Sequence, residues 1–156
     1  MRLKVYVETS VVSYLTSDPS RDLTVAAHQR VTREWWRGRG RFDLFVSEAV
    51  IDEAAAGHPD AAAKRTAALD GLPVLVVNAA VVALAHRLVQ SGAVPPKVAG
   101  DAMHIAASAV HRVDLLLTWN CKHIANPAAR SKIEQVCRAG GYVPPVLCTP
   151  VALGGD

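Results

Sequence analysis

Leu3-Lys4-Val5-Tyr6-Val7-Glu8-Thr9-Ser10 is the stretch that decides the fold. Residues 3–7 alternate apolar and polar side chains and are rich in β-formers, so they read as a strand. Glu8-Thr9-Ser10 follows at the strand's carboxyl end. Val11 to Leu15 then read as the first turns of a helix, with Thr9 or Ser10 as N-cap. A strand, a polar turn and a helix form the opening unit of an alternating α/β chain.

The same alternation continues outward. Asp18-Pro19-Ser20 breaks the first helix. Ser20 or Asp22 can cap a second, which runs to about Arg37 with Leu23, Ala26, Ala27, Val31 and Trp35 at helical spacing and ends at Gly38 and Gly40. Residues 42–46 read as a strand. Ser47 caps a helix carrying Val50, Ile51 and Ala54, closed by Gly57-His58-Pro59, and residues 61–69 form a further helix. A strand over 72–77, a helix over 79–90, a Pro95-Pro96 loop, a helix over 100–111 and a strand over 114–118 follow. Asn126-Pro127 opens a helix to about Arg138. Pro144, Pro145 and Pro150 leave room for only one short strand over 146–148. Nearly all-apolar strands between helices indicate a parallel sheet covered on both faces. The expected fold class is therefore α/β: a three-layer α/β/α sandwich with a central, mainly parallel sheet of four to five strands. It forms one domain over residues 1–152, with 153–156 as a loose C-terminal tail.

Composition agrees with this. The 156 residues are 51% hydrophobic and 20% charged, enough to build one core and too apolar for wholesale disorder. Seventeen Lys+Arg face 14 Asp+Glu, a balance of +3 that neither demands nor forbids a polyanionic partner. No apolar run approaches the roughly 20 residues that span a bilayer. Met1 to Glu8 reaches an acid before any signal-type apolar stretch forms. Cys121, Cys137 and Cys148 contain no C-x-x-C pair, which argues against a zinc ribbon or a disulfide scaffold. A cytoplasmic, reduced protein without membrane contact is expected.

In an open α/β sheet, ligands bind outside the carboxyl ends of the strands. Glu8 ends the first strand. Ser47 and Glu48 end the second, with Glu53 further into the next helix. Asp101 begins a helix with His104 one turn on, and Thr118, Asn120, Lys122 and His123 follow the fourth strand. Glu8, Glu53 and Asp101 can thus converge on one edge. Clustered carboxylates repel unless a cation sits among them, and Mg²⁺ or Mn²⁺ favours oxygen ligands. Each acid alone also reads as a solvated or capping group, and Asp101 at a helix start is stabilising without any function. Glu8 is harder to dismiss, because a free carboxylate between apolar segments is costly.

Four segments in order carry a resemblance: Tyr6-Val7-Glu8-Thr9-Ser10, then Ser47 to Glu53, then Asp101-Ala102-Met103-His104-Ile105-Ala106-Ala107-Ser108-Ala109, then Leu115-Leu116-Leu117-Thr118-Trp119-Asn120. Together they resemble the PIN domain, and within it the VapC-like toxin ribonucleases of bacterial toxin–antitoxin pairs. The resemblance implies an Mg²⁺- or Mn²⁺-dependent endoribonuclease that hydrolyses RNA phosphodiester bonds, leaving a 5′-phosphate and a 3′-hydroxyl. It puts the metal on Glu8, Glu53 and Asp101, counts Asn120 among the catalytic residues, and gives Ser10 and Thr118 supporting or phosphate-positioning roles. Lys122 reads as a phosphate-touching cation from its place after the strand that leads to Asn120, and His123 can bind a borderline metal or a phosphate. The resemblance also implies an RNA substrate, an antitoxin partner and a homodimer. Two positions depart from the pattern. Glu8 stands where the family usually has Asp, and His123 stands where a fourth acid often lies. The alternative is a PIN-like fold with weakened catalysis that binds RNA or a protein.

Other features have plainer readings. Arg30, Arg33, Arg37, Arg39 and Arg41 interleave with Trp35 and Trp36. One Trp reads as core and the other as a base-stacking candidate or part of a solvated helix end. His28, His58, His86 and His111 have no partner at ligand spacing, and His104 reads as a core-edge histidine that can orient Asp101. Cys121 reads as a plain buried thiol. Val11, Val12 and Leu15 read as a partner face or as core.

Overall fold

The computed structural model describes residues 1–154, so the last two residues of the 153–156 tail lie outside the described residues. Among the described residues, five strands alternate with eight α-helices: β1 (Lys4–Val7), α1 (Thr9–Thr16), α2 (Leu23–Arg37), β2 (Asp43–Ser47), α3 (Glu48–Ala54), α4 (Pro59–Leu69), β3 (Val74–Leu75), α5 (Ala79–Gln90), α6 (Ala99–Val110), β4 (Leu115–Leu117), α7 (Pro127–Ala139), β5 (Val146–Cys148) and α8 (Pro150–Leu153). All strand pairs are parallel, in the order β3-β2-β1-β4-β5. Val5 of β1 lies opposite Leu44 on one side and Leu115 on the other. Helix α1 packs against α2 and α4, and α5 packs against α6 and α7. Right-handed crossovers place these two groups on opposite faces, which gives the α/β/α sandwich.

The core follows from the strands. Val5, Tyr6 and Val7 are fully buried, as are Leu116 and Leu117 in β4, because both strands are central and covered twice. Val11 and Val12 are buried in the core and present no partner face. No helix among the described residues is long and apolar enough to cross a membrane.

The topology places the functional edge. The chain leaves β1 toward β2 and β3, then returns past β1 to lay down β4 and β5. The reversal point is therefore the carboxyl end of β1 and β4, where an α/β sheet opens a crevice. Glu8 and Thr118 are the first residues beyond those two strands.

Several elements differ from the sequence reading. Strand β3 is only two residues long, because the Val77 amide bonds Glu48 Oε2 and the Val76 carbonyl bonds His111 Nε2. The tail adds α8, whose Leu153 carbonyl accepts from Arg41. In α2 the buried side is Gln29, Thr32 and Trp35, while Leu23 is exposed. Gln29 donates to Ser17 Oγ and the Asp18 carbonyl and accepts from the Ser20 amide, so a polar side chain locks the α1–α2 connection.

Candidate metal centre

Two acids and a histidine meet at the reversal point. One oxygen each of Glu8 and Glu53 and a ring nitrogen of His104 lie within 4.8 Å of one another. Glu8 and His104 are buried, at 6% and 1% exposure, and Glu53 is open to solvent. This group could hold a metal ion.

Local sequence explains the placement. The N-cap position of α1 is Glu8, with no side-chain cap bond, so neither Thr9 nor Ser10 caps the helix. Their hydroxyls serve the acids. Ser10 Oγ donates to Glu8 Oε1, and Thr9 Oγ1 donates to Glu53 Oε1 at 2.5 Å. From β4, Thr118 Oγ1 also donates to Glu8 Oε1, at 2.6 Å. The backbone amide of Trp119 bonds Ser10 Oγ and that of Asn120 bonds Thr118 Oγ1, each at 2.9 Å, which fixes both hydroxyls. Two donors thus hold Glu8 Oε1. No hydrogen bond reaches Glu8 Oε2 among the described residues, and it points toward His104 Nε2 at 4.0 Å.

His104 is the hub that the sequence reading underrated. Its Nε2 is 2.7 Å from Glu53 Oε1, and its Nδ1 is 2.7 Å from the Tyr6 hydroxyl, which bonds Ser47 Oγ at 2.6 Å. Ser47 also caps α3, as expected, by accepting from the Val50 amide. Burial opposes charge on the imidazole. The Glu53 bond and the negative charges of Glu8, Glu53 and Asp101 outweigh it and raise the His104 pKa. For Glu53, desolvation pushes upward, but His104 and the Thr9 hydroxyl prevail and lower its pKa. Burial raises the Tyr6 hydroxyl far above its ordinary range, so it stays a neutral donor and acceptor.

The remaining predicted residues fall as follows. Asp101 is one turn before His104 and close enough to influence its charge. Its carboxylate meets His123 Nδ1 at 3.2 Å and lies outside the compact Glu8–Glu53–His104 group. Asn120 Oδ1 accepts from the His123 amide, which folds the turn that delivers His123 to Asp101. Lys122 is exposed on that turn, and its carbonyl accepts from Asn126. Glu48 turns away to the Val77 amide. Cys121 is exposed on the same turn, contrary to its expected burial, and Cys137 and Cys148 are pushed up to about 11 by desolvation. Trp35 is core, and the Trp36 ring carries Arg39 at 4.2 Å, which occupies a face that a base would need. His28 stacks on Trp119 at 4.1 Å, and His58 caps α4.

No protein-family model matches the chain, and no curated protein matches it.

Proposed function

We propose that the protein is a metal-dependent endoribonuclease of the PIN type, a VapC-like toxin of a toxin–antitoxin pair. The observation that carries this reading is the convergence of Glu8 and Glu53 on His104 at the reversal point of a parallel sheet. Glu8 is a buried carboxylate whose hydrogen bonds come from neutral hydroxyls and whose second oxygen accepts no hydrogen bond among the described residues and faces His104 Nε2 at 4.0 Å. Such a group gains most from a cation. Oxygen donors on separate rigid elements suit Mg²⁺ or Mn²⁺.

When bound, the ion would acidify a water and offset charge on the scissile phosphodiester. The chain's own residues do the rest. Ser10 and Thr118 orient Glu8, while Thr9 and His104 orient Glu53. Asp101, held by His123, adds a third negative charge at the edge. Lys122 is the exposed cation on the neighbouring turn and is suited to a phosphate. An RNA substrate, an antitoxin partner and a homodimer belong to the same reading.

One observation favours the weaker-catalysis alternative. His123 engages Asp101, and Asn120 spends its amide oxygen on the turn, so both are committed to structure. Cleavage of a mixed structured and single-stranded RNA panel with Mn²⁺, Mg²⁺ or EDTA, beside Asp101→Asn, decides between them. The nuclease reading expects metal-dependent products that Asp101→Asn loses. RNA retention without products from folded protein supports the binding module.

A further inference from the structure

We infer that His104 Nε2 is a nitrogen ligand of the metal centre, and that the site therefore prefers a first-row transition ion such as Mn²⁺ over Mg²⁺. This rests on the metal-site part of the reading above and narrows its choice of ion.

The geometry admits the nitrogen. An ion about 2.1 Å from each ligand holds those ligands about 3.0 to 4.2 Å apart. The Glu8, Glu53 and His104 atoms already lie within 4.8 Å of one another. His104 is pinned by Tyr6 behind it, and its Nε2 faces both carboxylates. An all-carboxylate site would leave this imidazole edge buried against the ion without contributing to it.

The groups behind the ring suit a ligand. A metal-binding histidine donates its other ring N–H to a fixed acceptor, which sets the tautomer and aims the lone pair. Tyr6 Oη is that acceptor. With the hydroxyl protons turned toward β2, His104 Nδ1–H donates to Tyr6 Oη and Tyr6 O–H donates to Ser47 Oγ. Nε2 then presents a lone pair, and its former proton leaves to solvent. With the hydroxyls turned the other way, Tyr6 donates to Nδ1 and Nε2–H bonds Glu53. Both arrangements keep the Tyr6, Ser47 and Nδ1 positions, and the 2.7 Å between Nε2 and Glu53 Oε1 opens only to about 3.0 Å to take the ion, so the ring is preorganised for the ion and is satisfied without it. Imidazole suits the later first-row ions best, and Mn²⁺, which shares the preference of Mg²⁺ for carboxylates, accepts a nitrogen beside them more readily than Mg²⁺ does. Tyr6 and Ser47 are thereby positioning residues for the metal.

The test is titration of the full chain with Mn²⁺ and with Mg²⁺ by calorimetry, together with pulsed EPR of the Mn²⁺-loaded protein. Wild type is expected to show coupling to a histidine nitrogen. His104→Gln places an amide oxygen near the same point, so the coupling is expected to vanish and the Mn²⁺-to-Mg²⁺ affinity ratio to fall about tenfold or more. Tyr6→Phe keeps the ring and removes the hydroxyl, and is expected to weaken Mn²⁺ about tenfold with Mg²⁺ changed less. Bound Mn²⁺ without nitrogen coupling overturns the inference, as does a folded His104→Gln with an unchanged ratio. If His104→Gln fails to fold, the wild-type spectrum and Tyr6→Phe decide. Binding of neither ion overturns both this inference and the metal reading. Nitrogen-coupled Mn²⁺ without RNA cleavage leaves the inference standing and removes the nuclease reading, and cleavage with an all-oxygen Mn²⁺ does the reverse.

Discussion

The two ends of the sheet treat acids differently. At the amino end, Asp114 accepts from the Lys4 amide at 2.8 Å and Asp43 faces Arg2 at 3.8 Å, all exposed. At the carboxyl end, Glu8 is buried against two hydroxyls, and a buried imidazole stands between it and Glu53. The strands are the same, so the difference lies in what meets their ends: the turns after β1 and β4 and the helices α3 and α6. Water screens the amino-end charges, and their loss changes little. The carboxyl end keeps the Glu8 charge out of water, where a cation gains far more.

The largest expected effect breaks that contrast directly. Glu8→Gln removes the buried charge with little change of shape, and metal-dependent cleavage should fall about 100-fold or more in initial-rate assays. Thr118→Val should be next. It removes a donor to Glu8 and leaves the Asn120 amide without its acceptor, so unfolding in urea should show a loss of about 1–3 kcal/mol. Metal affinity measured by calorimetry should drop about tenfold. The smallest effect belongs to the other end. Asp114→Asn should change stability by less than about 1 kcal/mol and leave cleavage at the wild-type rate.

The pH dependence sharpens the same comparison. His104 has a raised pKa, so its contribution is complete below its ordinary value of 6.5 and is lost as pH climbs through the raised value. Glu53 has a lowered pKa, so its contribution is present above its ordinary 4.5 and is lost as pH falls through the lowered value. In EDTA, the pair should stabilise the protein most between about pH 4.5 and 6.5. Melting temperature should decline on the alkaline side of that window. His104→Gln should flatten that decline, and Asp114→Asn should leave it unchanged.

Much of this edge was legible in the sequence, for a physical reason. Glu8 follows an apolar alternation and Thr118 ends an apolar run, so their place at strand ends follows from local pattern. Glu53 lies six residues beyond Ser47, within the helix that Ser47 caps. Local pattern puts His104 on α6 and pairs it with Asp101, one turn away. Its actual partners, Glu53 and Tyr6, lie 51 and 98 residues away. Only tertiary packing brings them together. One signal was present: an imidazole within Ala102-Met103-His104-Ile105-Ala106 must find polar partners if the helix is buried on that side. The α2 stripe misled for the opposite reason. Apolar spacing pointed to Leu23, but the long polar reach of Gln29 closed the preceding loop and decided which face turned inward. Strand β3 was overread because Val76 and Val77 are apolar, yet their backbone groups bond Glu48 and His111 instead of β2.

The nuclease reading stands on Glu8, Glu53 and His104 at the carboxyl end of the sheet, of which Glu8 and His104 are buried. The most direct measurement is cleavage of single-stranded RNA by purified wild type and Glu8→Gln, in parallel, with Mn²⁺ and with EDTA. Products are expected only from wild type with Mn²⁺. Products of equal yield from Glu8→Gln, or none from folded, Mn²⁺-loaded wild type, would overturn the nuclease reading.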